Sequence, residues 1–157
     1  MKPKVYIETS VISYLTAKPT RDLIVAAHQQ ITREWWESAR PDLEQYVSDL
    51  VIDEASAGNE GAAGERRAIL AGIPLLRLTD ESRALANKLV DEGVFPEKAG
   101  ADALHVAVAI VNGMDYLVTW NCTHIANART RHVLARFADE QGYECPTICT
   151  PEELIEA

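Results

Sequence analysis

Val5-Tyr6-Ile7-Glu8-Thr9-Ser10 is a short apolar run that stops at an acid and two hydroxyls. A run of this length between polar residues reads as a buried strand, and an acid at its end has no packing reason to be there. Comparable junctions recur along the chain. Glu54 comes after Tyr46-Val47-Ser48, Asp102 interrupts the apolar stretch 99–111, and Asn121 comes after Tyr116-Leu117-Val118-Thr119. In an open parallel sheet the strand C-termini converge on one edge, where ligands bind. Four oxygen-bearing side chains on such a rim describe a pocket for a hard divalent cation such as Mg²⁺ or Mn²⁺, which takes carboxylate, carbonyl and water oxygens. The expectation is metal-dependent phosphoryl chemistry.

The length of 157 residues fits one domain, 1–157, large enough to cover both faces of a small sheet. An apolar fraction of 47% with 25% charged residues is ordinary for a soluble globular protein. No run reaches the roughly 18 apolar residues a membrane span needs. The start passes from Lys2 and Lys4 straight into the first strand, unlike a signal peptide, so a cytoplasmic protein is expected. Cys122, Cys145 and Cys149 are odd in number and lack zinc-site spacing, which predicts reduced, structural thiols.

A net charge of −9 argues at first against a nucleic-acid partner. The charge is unevenly spread, however. Residues 41–60 and 139–157 hold six acids each and no Lys or Arg, which leaves +3 on the remainder. Residues 121–138 carry Arg129, Arg131 and Arg136 and no acid. A local basic surface can steer phosphate even on an acidic protein, though a solvated helix face would have the same composition.

Strands are expected at 4–8, 46–48, 73–78, 116–119 and 147–149. Helical spacing of apolar residues predicts helices over 21–39, from 49, over 63–70, from 80 to about 93, over 99–111 and over 125–141. Thr20 is the expected N-cap of the second helix, with Pro41 at its end. Thr150, Pro151 and Glu153 have the pattern of a capping box opening a terminal helix. Alternation of this kind implies an α/β fold, a mostly parallel sheet covered on both faces.

Asp102 is the strongest single candidate. Its helix is apolar nearly all round and so is expected to be buried, where a carboxylate costs several kcal/mol unless it is paired or bound to metal. Capping the helix or pairing with an arginine would also account for it. His105, three residues on, shares its face; it reads first as a core histidine and second as a partner orienting a carboxylate. Glu8 has the alternative role of negative charge at the N-terminus of the next helix, worth about 0.3–1 kcal/mol. Thr9 and Ser10 read as caps whose hydroxyls could also hold water or a phosphate oxygen. Glu54 could simply face solvent. Asn121 offers a carbonyl without charge, and His124 and Asn127 beside it read as cap residues. Adjacent Trp35 and Trp36 lie about 100° apart on a helix, so one of them is expected at a surface or interface.

These motifs together resemble PIN-domain nucleases, specifically the VapC-type toxins of bacterial and archaeal toxin–antitoxin pairs. The resemblance rests on Tyr6-Ile7-Glu8-Thr9-Ser10-Val11-Ile12, Glu54, Ala101-Asp102-Ala103-Leu104-His105 and Leu117-Val118-Thr119-Trp120-Asn121, in that order over nearly the whole chain. It implies a three-layer α/β/α sandwich with a small, mostly parallel central sheet and an acidic pocket for Mg²⁺ or Mn²⁺. It also implies endoribonuclease activity on an RNA substrate, often tRNA or rRNA, inhibition by a cognate antitoxin protein, and a homodimer. Carried over by position, the quartet is Glu8, Glu54, Asp102 and Asn121, with Thr9, Ser10, Thr119 and His105 in support. Glu8, Asp102 and Glu54 would hold the metal, and Arg129 and Arg131 would contact the RNA backbone.

Two positions depart from the family pattern. Glu8 replaces the usual aspartate and adds a methylene, and Asn121 replaces an aspartate and removes a charge. The pocket would then hold three carboxylates, with weaker affinity for a second ion. Those departures raise the alternative of a catalytically weakened module that binds RNA or a protein partner. A phosphatase or receiver domain fits less well, because the position two after the first acid is Ser10 rather than aspartate.

Overall fold

Five strands pair in parallel throughout: β1 (Lys4–Ile7), β2 (Glu44–Ser48), β3 (Leu75–Leu76), β4 (Tyr116–Val118) and β5 (Thr147–Cys149). Their order in the sheet is β3-β2-β1-β4-β5 in this computed structural model, which describes residues 1–155. The chain steps outward from β1 to β3, then crosses to β4 on the other side of β1. The β1/β4 boundary is therefore the switch point at which such sheets open a crevice. Register places Tyr6 between Tyr46 and Leu117, and Ile7 beside Val118. The residues that follow, Glu8, Ser48 and Thr119, thus reach one edge.

Seven α-helices form the outer layers among the described residues: α1 (Thr9–Thr16), α2 (Leu23–Glu34), α3 (Asp49–Ala55), α4 (Glu60–Leu70), α5 (Asp80–Asp91), α6 (Gly100–Val111) and α7 (Ala128–Glu140). α1 packs against α2, α3 and α4, whereas α5 packs against α6. With the right-handed crossovers of parallel strands, these groups occupy opposite faces of the sheet. The result is the expected three-layer α/β/α sandwich, with a wholly parallel sheet.

Val5, Tyr6 and Ile7 have no exposed surface, and α6 is buried from His105 to Ile110. This explains the continuous apolar lettering of both segments: neither has a solvent face. Each large aliphatic side chain so buried contributes about 1.5–3 kcal/mol. Only the first turn of α6 emerges, and it carries Asp102.

Several boundaries differ from expectation for local reasons. Asp22, not Thr20, caps α2, accepting from the Ile24 and Val25 amides at 3.0 Å each. The expected helix over 21–39 stays α-helical only to Glu34 and then becomes a π-turn over Trp35–Ala39, closed by the Arg40 amide on the Trp35 carbonyl. That widening turns both tryptophans toward protein. Trp35 is fully buried, and Trp36 lies beneath the Arg40 guanidinium, 4.0 Å from its ring centre, so neither projects as the sequence suggested. α4 starts three residues early because Asn59 caps it. Gly72, with φ of +86°, turns the chain after it. α7 starts at Ala128, not near 125, because Asn121 holds the preceding residues in a separate turn. The Thr150–Glu153 capping box is present, on a 3₁₀ turn. All three cysteines are free thiols. Among the described residues no helix is long and apolar enough to cross a membrane.

Candidate active site

Glu8 ends β1 and caps α1. Its Oε2 accepts from the Ser10 amide at 3.0 Å and its Oε1 from the Ser10 hydroxyl at 2.5 Å. Thr119, just past β4, donates its hydroxyl to the same Oε1. Ser10 Oγ in turn accepts from the Trp120 amide at 2.8 Å, and Thr119 Oγ1 accepts from the Asn121 amide at 2.9 Å. The carboxylate, only 6% exposed, is thereby saturated with donors and fastens the end of β1 to the end of β4. Thr9 and Ser10 are not caps; both hydroxyls bind carboxylates. Beneath this junction the Trp120 ring stacks on His28 at 4.0 Å and donates to Thr32 Oγ1 at 2.7 Å.

Glu54, on the last turn of α3, comes to the same place from the other side of β1. Its Oε1 accepts from Thr9 Oγ1 at 2.5 Å and from His105 Nε2 at 2.6 Å. Partial burial pushes the Glu54 carboxyl up. The His105 hydrogen bond and charge, with the Thr9 hydroxyl, outweigh burial and hold it below the usual carboxylate range. His105 is fully buried, and its Nδ1 lies 2.7 Å from the Tyr6 hydroxyl, which lies 2.7 Å from Ser48 Oγ. Burial pushes the Tyr6 phenol up; the Ser48 bond opposes this, and the charges of Glu8 and Glu54 reinforce it, so the phenol keeps its proton. With Nε2–H facing a carboxylate, a neutral ring leaves Nδ1 to accept from Tyr6, which can accept from Ser48. A hydrogen-bonded chain therefore runs from the core to Glu54.

Asp102 occupies the first turn of α6, one turn before His105. Its Oδ2 accepts from His124 Nδ1 at 3.0 Å, with side chains 20% and 29% exposed. His124 sits in the turn that Asn121 organises: Asn121 Oδ1 accepts the His124 amide at 3.0 Å, and its carbonyl accepts those of Ile125 and Ala126. The cap of this turn is therefore Asn121, and the His124 ring is released to orient Asp102. Sequence reasoning favoured the reverse. The only signal available was a second histidine close to a strand end, which by itself cannot reveal its partner. The Tyr6–Ser48 support of His105 was equally hidden, since both residues read as strand residues.

Glu8, Glu54 and His105 present ligand atoms within 4.8 Å of one another. Asp102 is not part of that group. The donor chemistry fits a hard cation: two carboxylates meet, Glu54 Oε2 and Asp102 Oδ1 take no protein hydrogen bond among the described residues, and the spacing matches oxygens around one ion. His105 fits less well as a ligand, because Tyr6 and Glu54 engage both its nitrogens. Of the two arginines, Arg129 is exposed on the first turn of α7, whereas Arg131 reaches the Ile148 carbonyl at 3.5 Å and Glu153 at 3.9 Å.

No family model matches the chain, and no curated protein matches it. Solved structures do. The Mycobacterium tuberculosis toxin VapC20, described as cleaving the sarcin–ricin loop, superposes with a TM-score of 0.61 at 18% identity, over 77% of this chain and 92% of that one. A chain of the Rickettsia felis VapBC2 complex, bound to a DNA fragment from its promoter, gives 0.57 at 13% identity, over 93% and 97%. At such identities the likeness concerns the course of the chain, and it agrees with the resemblance carried by the motifs. The protein has the three-layer α/β/α, PIN-like fold of the VapC toxins.

Proposed function

We propose that this chain is a metal-dependent endoribonuclease, the toxin component of a toxin–antitoxin pair, acting in the cytoplasm as a homodimer. The observation that carries the reading is the meeting of Glu8 and Glu54 at the β1 edge of the sheet, beside the switch point, with a buried histidine fixing one of them. The VapC fold of its structural neighbours supports the same class of activity.

Glu8, Glu54 and Asp102 would hold Mg²⁺ or Mn²⁺. When bound, such an ion acidifies water and offsets the negative charge that builds on phosphate oxygens. The chain's own residues do the positioning. His105, held by Tyr6, keeps Glu54 in one rotamer, and His124 does the same for Asp102. Thr119 and Ser10 hold Glu8, and Asn121 holds the turn that presents His124. Arg129 supplies a backbone phosphate contact, and Arg131 a weaker one. The test is cleavage of tRNA and of an rRNA fragment carrying the sarcin–ricin loop, with and without Mn²⁺. Metal-dependent cutting that survives both Glu54→Ala and Asp102→Ala unchanged would falsify the assignment.

The second reading, a weakened module that binds RNA or a protein, is favoured by the saturation of Glu8 and the structural employment of Asn121. Calorimetric titration separates the two: millimolar Mn²⁺ gives a binding isotherm for the enzyme and none for the module.

A further inference from the structure

Between α1 and α4 lies a cleft of about 580 Å³, lined by Ser13, Thr16, Lys18, Asn59, Glu65 and Arg66. It starts beside the acidic rim. Thr9, which donates to Glu54, precedes Ser13 by one turn on the same face of α1. Arg66 donates to the carbonyls of Ala55 and Ala57 at 2.8 and 2.7 Å, directly after Glu54 in the chain. Its guanidinium is thus fixed at the end of α3, with Nη1 free of these two bonds. Among the described residues neither Lys18 nor Arg66 meets a carboxylate within 4.0 Å. Two uncompensated cations in a recess of a chain with net charge −9 call for an anionic ligand, even with Glu65 in the lining.

We propose that this cleft binds the phosphates of the RNA strand that flank the one cut at the rim. The inference rests on the ribonuclease reading above and adds the path of the substrate. From Thr9 to Thr16 the axis of α1 rises about 10 Å, a length that one or two nucleotides span. A strand with its scissile phosphate beside Glu54 therefore brings its next phosphates to Arg66 and Lys18. The Ser13 and Thr16 hydroxyls and the Asn59 amide suit sugar and phosphate oxygens, which position a strand without reading its sequence. Commitment of Arg66 to two backbone carbonyls keeps its charge in place before substrate arrives.

The test uses the full chain carrying Asp102→Ala and a labelled single-stranded oligoribonucleotide, with anisotropy followed from 50 to 200 mM salt. Adding Lys18→Ala is expected to reduce the slope of log K against log salt by about 0.7, the loss of one phosphate contact. In the cleaving protein, Lys18→Ala and the cleft-filling Ala62→Phe are expected to raise KM severalfold while kcat stays near its original value. Slopes and KM values unchanged in both variants, with the unaltered chain active on RNA, overturn the cleft and leave the nuclease standing. An unaltered chain that neither binds nor cuts RNA overturns both.

Discussion

Glu8 and the helix-borne acids Glu54 and Asp102 carry the same functional group at one rim but are held in opposite ways. Glu8 is 6% exposed, and hydroxyls and an amide take up both of its oxygens. The side chains of Glu54 and Asp102 are 34% and 20% exposed, and each is gripped at one oxygen by an imidazole, from His105 and His124. A carboxylate enclosed by donors works first as a fastener between strands, since its coordination capacity is already spent on protein. One steered by a single histidine keeps an oxygen for a ligand while its rotamer is fixed, the arrangement of carboxylate and imidazole that tunes metal sites. The contrast assigns catalytic weight to the helices and mechanical weight to the strand end.

The strongest way to break that contrast is to remove each acid in turn. Glu54→Ala and Asp102→Ala, like chelation of the metal with EDTA, are expected to lower kcat/KM for RNA about 100-fold or more. Circular dichroism and urea midpoints should stay near those of the parent. Next in size is the imidazole effect. His124→Ala should weaken Mn²⁺ binding by about 10–100-fold. His124→Asn, whose amide can donate from near the Nδ1 position, should restore most of it. Equal calorimetric affinity for all three proteins would remove His124 from the site.

The fastener role predicts a stability effect where the helix-borne acids give little. Glu8→Ala leaves the Ser10 amide and the Ser10 and Thr119 hydroxyls without their acceptor, and should cost about 1–3 kcal/mol in urea denaturation. If Glu54→Ala costs as much, the distinction fails. The smallest expected effect concerns the thiols, away from the rim. Burial pushes Cys145 up to about 11. Burial and the Glu153 charge, opposed by Arg131, push Cys149 up to about 12. Alkylation at pH 8.5 followed by mass spectrometry should therefore modify exposed Cys122 first. The sign for stability follows from the same shifts. Folded thiols that keep their protons beyond the unfolded value of about 8.5 favour the fold below that pH. That contribution is lost as pH rises toward 11–12.

How far the fold could be read depended on how local its causes were. The apolar run at β1, the capping box at Thr150–Glu153 and the buried lettering of α6 each depend on near neighbours in sequence, and each was legible. The π-turn at Trp35 was not, because helical spacing is nearly the same for α and π geometry over five residues. The start of α7 was missed for a related reason: residues 121–127 have helix-like composition but are tied into a turn by one asparagine.

The sequence by itself determined the sheet's parallel architecture and the presence of oxygen-bearing residues at its strand ends, since burial on both faces dictates the composition of such strands. Which acid would be enclosed and which left free was decided only by tertiary structure. Glu8 meets Thr119 across 111 positions of sequence, Glu54 meets His105 across 51, and Asp102 meets His124 across 22. No local pattern encodes these partners, because a hydrogen bond depends on two atoms coming within about 3 Å, and only the packing of α3 and α6 around β1 brings them there.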